Sequence, residues 1–190
     1  MHTREEAYEL LKRYNQSESL LRHALAVETV MEHIAHVVGE DAHYWGVVGL
    51  LHDLDYEMFP DEHCRQTARI LRENGYDEAF IHSVMSHGYG LCTDVEPKST
   101  MEKALYAIDE LTGLITAAVY MRPSRSVLDL ELKSVKKKWK DKSFAAGVNR
   151  EIILAGCEML NMELDEVITL TLEGMRKNAE RLGLKGTLRA

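Results

Sequence analysis

The sequence predicts an all-α protein, and three observations support this fold class. Apolar residues recur mostly at the three- and four-residue spacing of amphipathic helices. Only three prolines interrupt the 190 residues, and runs of β-branched residues are few. Polar residues that cap helix N-termini stand ahead of several apolar stretches. We therefore expect about eight helices in one compact bundle, with residues 1–190 forming a single domain, although two small domains would also fit this length.

The first five helices are predicted from capping residues and apolar stripes. Thr3 and Glu6 form a candidate capping box for the first helix. Ser17 and Gly39 flank a long apolar stripe, which predicts the second helix. Asp41 is placed to begin the third helix. The approximate bounds of the five helices are 3–14, 17–39, 41–52, 60–74 and 77–87.

Prolines, glycines and a second capping box divide the rest of the chain. Pro60 lies in the first turn of the fourth helix, and Gly88 ends the fifth. Ser99 and Glu102 form another capping box, and Pro123 follows the helix that it opens. The remaining predicted elements are a loop over 88–98 and helices over 99–121, 127–140, 149–160 and 165–182.

The composition limits the classes of partner. A net charge of −8 argues against broad, non-specific binding to nucleic acid or anionic membranes. No apolar stretch approaches the roughly 20 residues that cross a bilayer, and the polar N-terminus is unlike a signal peptide. Cys64, Cys92 and Cys157 lie far apart, which is typical of reduced thiols in the cytoplasm. The oligomeric state stays open, and a homo-oligomer is compatible with the sequence.

The pair His52-Asp53 is the most informative local feature. It lies at the end of the apolar run 45–55. An imidazole nitrogen beside a carboxylate suits Mn, Fe, Ni or Zn better than Ca or Mg alone. Without converging ligands, the pair would be an ordinary helix end.

Six residues on the predicted helices could line one cavity: His23, His52, Asp53, His63, His87 and Asp109. Each has a common structural explanation when it is taken alone. His23 could be a core histidine bonded to a carbonyl, and His63 an exposed residue in a first helical turn. His87 could complement a helix dipole. Asp109 could lie on the surface, yet a mid-helix aspartate among apolar residues is costly to bury unless it is paired or bound to metal.

The order of these six residues resembles the HD-domain superfamily of metal-dependent phosphohydrolases, in its HDIG type. The segments Gly49-Leu-Leu-His-Asp-Leu-Asp55 and Ala107-Ile-Asp-Glu-Leu-Thr-Gly113 are similar to the second and last motifs of that family. The resemblance covers about residues 18–121. It implies an HD-domain-like helical bundle, with residues 122–190 as a C-terminal helical extension.

The resemblance also implies a metal-ligand set. One ion would be bound by His23, His52, Asp53 and Asp109. Members of the family with two metals add two histidines, which match His63 and His87 here. Asp53 would then bridge both ions and offset their repulsion. The expected cofactor is one or two divalent transition-metal ions (Fe, Mn, Ni or Zn), with two favoured.

Such a centre predicts hydrolysis of a phosphomonoester or phosphodiester of a nucleotide or small metabolite by a metal-activated hydroxide. Two alternatives remain open at this point. Some proteins that resemble this fold hold two irons on the same ligands and act as oxygenases, and a non-catalytic sensor could keep metal for stability. The run His52-Asp-Leu-Asp-Tyr-Glu57 has no Lys two residues after the pair, which argues against cyclic-di-GMP cleavage.

Further roles can be assigned around the metal ligands. Asp53, Asp55 and Glu57 are the candidate catalytic carboxylates. Asp55 and Glu57 could orient histidine ligands or donate a proton to the leaving group, or they could be surface acids on a turn. The candidate phosphate-binding residues are Arg22, Lys142 and Arg150. The last two flank the small residues of the basic segment 140–150, although a lysine run is often only a solvated helix face.

Overall fold

The computed structural model describes residues 2–187, and in this range the protein is built from α-helices with no β-strand. The all-α prediction is confirmed. The described residues form nine α-helices: α1 Arg4–Tyr14, α2 Glu18–Val38, α3 Ala42–Leu50, α4 Arg65–Glu73, α5 Glu78–Met85, α6 Thr100–Tyr120, α7 Leu132–Lys140, α8 Arg150–Leu160 and α9 Leu164–Lys177. Two short 3-10 helices, Pro60–Glu62 and Ser86–Gly88, precede α4 and follow α5.

Helices α2 and α6 form the centre of the bundle because they are the longest and carry many buried residues. Helix α2 packs against α3, α6 and α9, and α6 packs also against α8. One hydrophobic cluster extends from α1 to the segment after α9. Gly156 of α8 lies so close to Ala107 of α6 that any added β-carbon would meet its backbone, which explains a glycine inside α8.

The predicted capping interactions are present at several helix ends. Thr3 with Glu6 and Ser99 with Glu102 both form complete capping boxes. The Asp41 side chain accepts a hydrogen bond from the N–H of Tyr44 at the start of α3. Each of these contacts joins residues three positions apart, so it can be predicted directly from the sequence.

Several predicted helix bounds are wrong, and the differences fall close to the candidate ligands. Helix α3 ends at Leu50, so His52 lies in the turn that follows. The expected helix over 60–74 is divided, because Cys64 has a φ of 68° that ends the 3-10 segment before α4 begins. The helix expected to reach His87 ends at Met85 and continues as a 3-10 turn.

The C-terminal third also departs from prediction. Residues 127–131 are not helical, because the N–H of Val127 donates to the carbonyl of Leu184 and ties this segment to the chain after α9. Helix α9 ends at Lys177 rather than near residue 182. Among residues 2–187, no helix combines the length and apolar character that crossing a membrane requires.

Candidate metal centre

The bundle brings the six candidate ligands from five parts of the chain into one place. They come from the second turn of α2, from the middle of α6, from the turn after α3, from the residue before Cys64, and from the 3-10 turn after α5. His52 and His87 are buried, and the other four are partly buried at the edge of a cavity. Five of the six line this cavity, and the buried His52 lies behind them in contact with His23, Asp53 and Asp109, which is the convergence that a metal site would require.

The first group of donor atoms surrounds the Nε2 atom of His52. This atom lies 3.2 Å from Nε2 of His23 and 3.3 Å from Oδ1 of Asp109. His23 Nε2 is 2.9 Å from the same Asp109 oxygen. Oδ2 of Asp53 completes the group at 3.2 Å from His52 Nε2 and 3.6 Å from His23 Nε2.

The second group uses the other oxygen of Asp53. Nε2 of His63 and Nε2 of His87 are 3.2 Å apart. Each of these nitrogens lies 3.5 Å from Oδ1 of Asp53. Asp53 thus presents one carboxylate oxygen to each group and connects them.

Each histidine is oriented through its other ring nitrogen. The Nδ1–H groups of His52 and His87 donate to backbone carbonyls, at 2.8 Å to Gly49 and 2.6 Å to Val84. His63 Nδ1 donates to Oδ1 of Asp55 at 2.7 Å. Hydrogen bonds of this kind fix the tautomer and leave the Nε2 lone pair free, as at histidine metal ligands generally.

His23 is oriented by Thr112, a residue that the sequence analysis did not single out. The Thr112 hydroxyl donates to the carbonyl of Asp109 at 2.7 Å, so its oxygen is left to accept from Nδ1 of His23 at 3.4 Å. Thr112 lies one turn after Asp109 on α6. The i, i+3 spacing from a candidate ligand was the available signal.

The two groups fit divalent transition metals. Metal–ligand bonds of about 2.1 Å place neighbouring ligand atoms roughly 3.0–3.5 Å apart, close to the separations within each group. Imidazole nitrogens with carboxylate oxygens are a donor set that suits Zn, Fe, Mn and Ni. The four Nε2 atoms are directed at one another and at carboxylates, an arrangement that a cation would satisfy.

The electrostatics of the donor groups also favour binding of a cation. Burial opposes protonation of His52, but the carboxylates of Asp53 and Asp109 outweigh it and raise the pKa of His52 well above its ordinary value. Burial would raise the pKa of Asp109, yet the imidazoles of His52 and His23 hold that pKa well below its usual range. The carboxylates are therefore ionised at neutral pH, and binding of a metal would displace protons from imidazoles.

Asp55 positions a ligand and does not face the cavity. Its buried carboxylate accepts hydrogen bonds from His63 Nδ1 and from the backbone N–H groups of Cys64 and Thr67, at 2.7, 3.3 and 2.7 Å. Both of its oxygens are thus engaged inside the protein. The role of orienting a histidine fits this geometry, whereas the direct proton donor and the surface acid do not.

Glu57 is the second candidate carboxylate that the structure places elsewhere. Its Oε2 accepts from the backbone N–H groups of Gln16 and Ser17, at 2.6 and 2.9 Å. Glu57 therefore caps the start of α2, in place of the Ser17 side chain, which makes no capping hydrogen bond. It lies exposed at a helix end outside the lining of the cavity, which fits the alternative of a surface acid rather than a catalytic role.

The three candidate phosphate-binding residues are arranged differently from one another. Arg22 binds Glu18 and the hydroxyl of Tyr120, beside a second cavity of about 760 Å³ that shares His23 with the metal centre. Arg150 directs its guanidinium at backbone carbonyls, so it is not a free cation. Lys142 is exposed in the loop between α7 and α8.

The candidate metal centre opens into a cavity of about 480 Å³. Its walls include Leu20, Tyr56, Leu91 and Ile152, which are apolar or aromatic, and Gly147 from the loop between α7 and α8. Glu110 also lines it and accepts a hydrogen bond from the N–H of Asn149, at 3.3 Å, which holds this loop at the rim. The cavity has the size of a small-molecule site.

The HD domain family matches the chain over residues 20–114, which is half of its length. The match contains all six candidate ligands. The chain belongs to the HD domain family, whose members are commonly metal-dependent phosphohydrolases. No solved structure matches the chain.

Proposed function

We propose that this protein is a metal-dependent phosphohydrolase that cleaves a phosphomonoester or phosphodiester of a nucleotide or another small metabolite. One observation carries the proposal. Two groups of imidazole and carboxylate donors share Asp53 and open together into a cavity of about 480 Å³. Paired sites of this kind are the arrangement that enzymes use for in-line displacement at phosphorus.

The chain's own residues hold and orient the site. His23, His52, Asp53 and Asp109 would hold one divalent ion, and His63, His87 and Asp53 a second. When bound, such ions supply Lewis acidity that activates water and stabilises charge on phosphate oxygens. Asp55, Thr112 and the carbonyls of Gly49 and Val84 fix the histidine rings, so that little reorganisation accompanies binding.

The loop between α7 and α8 is suited to bind the substrate's phosphate. Gly147 lines the cavity, and Ala145 has a φ of 46°. Among the described residues, the backbone N–H groups of Ala145, Ala146 and Gly147 have no hydrogen-bond acceptor. Successive N–H groups in such a turn form anion-binding concavities. Lys142 belongs to the same loop and adds an exposed positive charge.

Arg150 holds this loop in shape. Its guanidinium donates to the carbonyls of Trp139, Asp141 and Phe144, at 3.0, 3.1 and 2.7 Å. These carbonyls are drawn inward, towards the start of α8. We therefore assign Arg150 to positioning of the loop and Lys142 to contact with the phosphate.

The test combines elemental analysis with turnover. We expect about two transition-metal ions per chain after reconstitution, and release of phosphate from at least one member of a panel of phosphorylated metabolites under argon. His36→Ala is a matched control, because His36 is exposed on α2 and outside the centre. Failure to bind metal after reconstitution would remove the proposal. Turnover that consumes oxygen would replace hydrolysis by the oxygenase alternative, and metal without turnover would favour the sensor.

A further inference from the structure

Two thiols lie together beside the second group of metal ligands, and the ligand set does not account for them. A β-carbon placed on Gly88 would lie 2.3 Å from Cys92 Sγ and 2.7 Å from Cys64 Sγ. Both sulfurs and a ring nitrogen of His63 lie within 4.8 Å of one another. Only glycine at position 88 leaves room for this pair.

The backbone at Cys64 is held in an unusual conformation that directs its side chain inward. Its φ of 68° lies in the left-handed region, which residues other than glycine rarely occupy. The thiol is fully buried. The N–H of Cys64 donates to Oδ1 of Asp55, the same oxygen that orients His63. Cys64 is therefore coupled to the position of a candidate ligand through the chain and through Asp55.

Cys92 gives the pair access to solvent. It is exposed in the loop over 88–98 and lines the cavity of about 480 Å³ at the candidate metal centre. Its N–H donates to the carbonyl of Gly88 at 3.0 Å, which keeps the loop folded over Cys64. A third metal ion between the thiols is disfavoured, because Nδ1 of His63 donates to Asp55 and its Nε2 faces Asp53.

We propose that Cys64 and Cys92 are an oxidation-sensitive thiol pair that forms a disulfide when a hydroperoxide enters the metal cavity. The exposed Cys92 sulfur attacks the peroxide and becomes a sulfenic acid, and the peroxide leaves as water or an alcohol. Cys64 then attacks the Cys92 sulfur, forms the S–S bond and releases water. Two thiols lose two electrons and two protons in total, and the peroxide accepts both.

The disulfide would also act on the metal centre. An S–S bond of about 2.05 Å requires the two sulfurs to move closer together. Cys64 adjoins His63, and Gly88 adjoins His87, so this movement reaches the second group of ligands. Helices α2 and α6, which carry His23 and Asp109, do not contain either cysteine. We expect oxidation to release the ion of the second group and to spare the first.

The experiment is thiol mapping of the full chain after treatment with hydrogen peroxide, with free thiols then alkylated. We expect the intact mass to show loss of two hydrogens and a single alkylated cysteine, Cys157. Trypsin should release a cross-linked pair of peptides, 23–65 with 73–98, while Cys157 appears in peptide 151–176. A reductant should restore three alkylated cysteines. Three free thiols after peroxide, or a cross-link through Cys157, would overturn the proposal.

Matched variants separate the roles of the two thiols. Cys157→Ser should leave disulfide formation unchanged, because Cys157 is buried on α8 away from the pair. Cys64→Ser should stop at the sulfenic acid, which a dimedone probe traps on peptide 73–98. A Cys64→Ser protein whose Cys92 resists peroxide would contradict the order of events. Metal content that stays unchanged in the oxidised wild type would contradict the coupling to the second group of ligands.

Discussion

Helix α2 carries two polar side chains that are partly or fully buried, His23 and Glu28. The two side chains have opposite kinds of partner. Near its start, His23 joins three other imidazoles whose Nε2 atoms converge with the oxygens of Asp53 and Asp109 on an open cavity. Five residues later, Glu28 is 0 % exposed and binds two arginines. Its contacts are with Arg4 of α1, at 2.7 and 3.1 Å, and with Arg181 after α9.

The difference shows how a structural charge can be told from a functional one. The carboxyl group of Glu28, whose pKa burial raises to about 7, has its partners inside the protein, and the contacts connect the first helix, the second and the C-terminal segment. The donor atoms of the candidate metal centre converge instead at the edge of a cavity, and imidazole with carboxylate is a ligand set for a divalent cation. Both sets of groups are expensive to bury, but only the second set is arranged around a cavity in which a ligand could bind.

The largest effect is expected from loss of the bridging carboxylate. Asp53→Ala removes one ligand atom from each group, so we expect both ions and activity to be lost together. The loss should exceed the roughly 100-fold that removal of an outer partner causes. Metal content, turnover and circular dichroism measure it, with Asp61→Ala as an exposed aspartate control from the same region. Full activity in Asp53→Ala is incompatible with the metal-centre assignment.

The second prediction concerns Glu28, whose partners lie inside the protein. Glu28→Gln leaves two guanidinium groups without their carboxylate, and both are partly exposed, so we expect a loss of up to about 3 kcal/mol in the free energy of unfolding. Metal stoichiometry should not change. Denaturant unfolding and elemental analysis measure the two properties. A variant that keeps its stability but loses metal would reverse the comparison.

A smaller effect is expected where positioning alone is altered. Asp55→Asn can still accept a hydrogen bond from His63 but lacks the charge, so the affinity of the second metal site should fall about 10- to 100-fold. The first site should keep its affinity, because His23 and His52 are oriented by Thr112 and Gly49 instead. Competition with a chelator resolves the two affinities. An equal fall at both sites would mean that Asp55 has a general structural role.

The pH dependence of stability should also reflect the candidate metal centre, through His63. In the metal-free protein, burial opposes protonation of His63, but the hydrogen bond to Asp55 outweighs it and raises the pKa of His63 to about 10. Its contribution to stability is full below its unfolded pKa of about 6.5 and is lost as pH rises to about 10. The Tm of the metal-free protein should fall over this window.

Metal binding should follow the opposite trend, because imidazoles must lose protons before they bind a cation. We expect metal affinity to rise with pH, and His63→Asn to flatten the decline of the metal-free Tm. Thermal unfolding with and without chelator checks both. A metal-free Tm that is flat or rising from pH 6.5 upward would contradict the charge balance described for His63.

The smallest effect is expected at an exposed charge that belongs to neither buried region. Lys142→Ala should raise KM about 10-fold while the Tm stays unchanged, because Lys142 is exposed and contacts phosphate alone in our proposal. Arg150→Met, by contrast, should both raise KM and lower the Tm, since three carbonyls lose their hydrogen-bond donor. An unchanged KM in Lys142→Ala would remove the loop from substrate binding.

Local signals explain why much of the molecule could be predicted. The capping boxes at Thr3 and Ser99 and the glycine after α2 act within a few residues, and the structure contains all three. The left-handed Cys64 was missed because no sequence preference signals a cysteine at positive φ. Its conformation depends on Asp55, which accepts its N–H from nine residues away.

Helix periodicity in the sequence determined that the chain is helical, and the resemblance to the HD-domain superfamily indicated six candidate donor side chains. Helix periodicity and the identities of histidine and aspartate are properties of the chain, so reading them requires no neighbour. Only the tertiary structure decided which acids and bases are free. Hydrogen bonds inside the protein engage Asp55, Glu57 and Arg150. Their partners are backbone groups or a histidine, which either lie far away in sequence or are brought close by the fold of a loop. The same packing joined Cys64 to Cys92, because hydrogen-bond and thiol partners are chosen by distance in space.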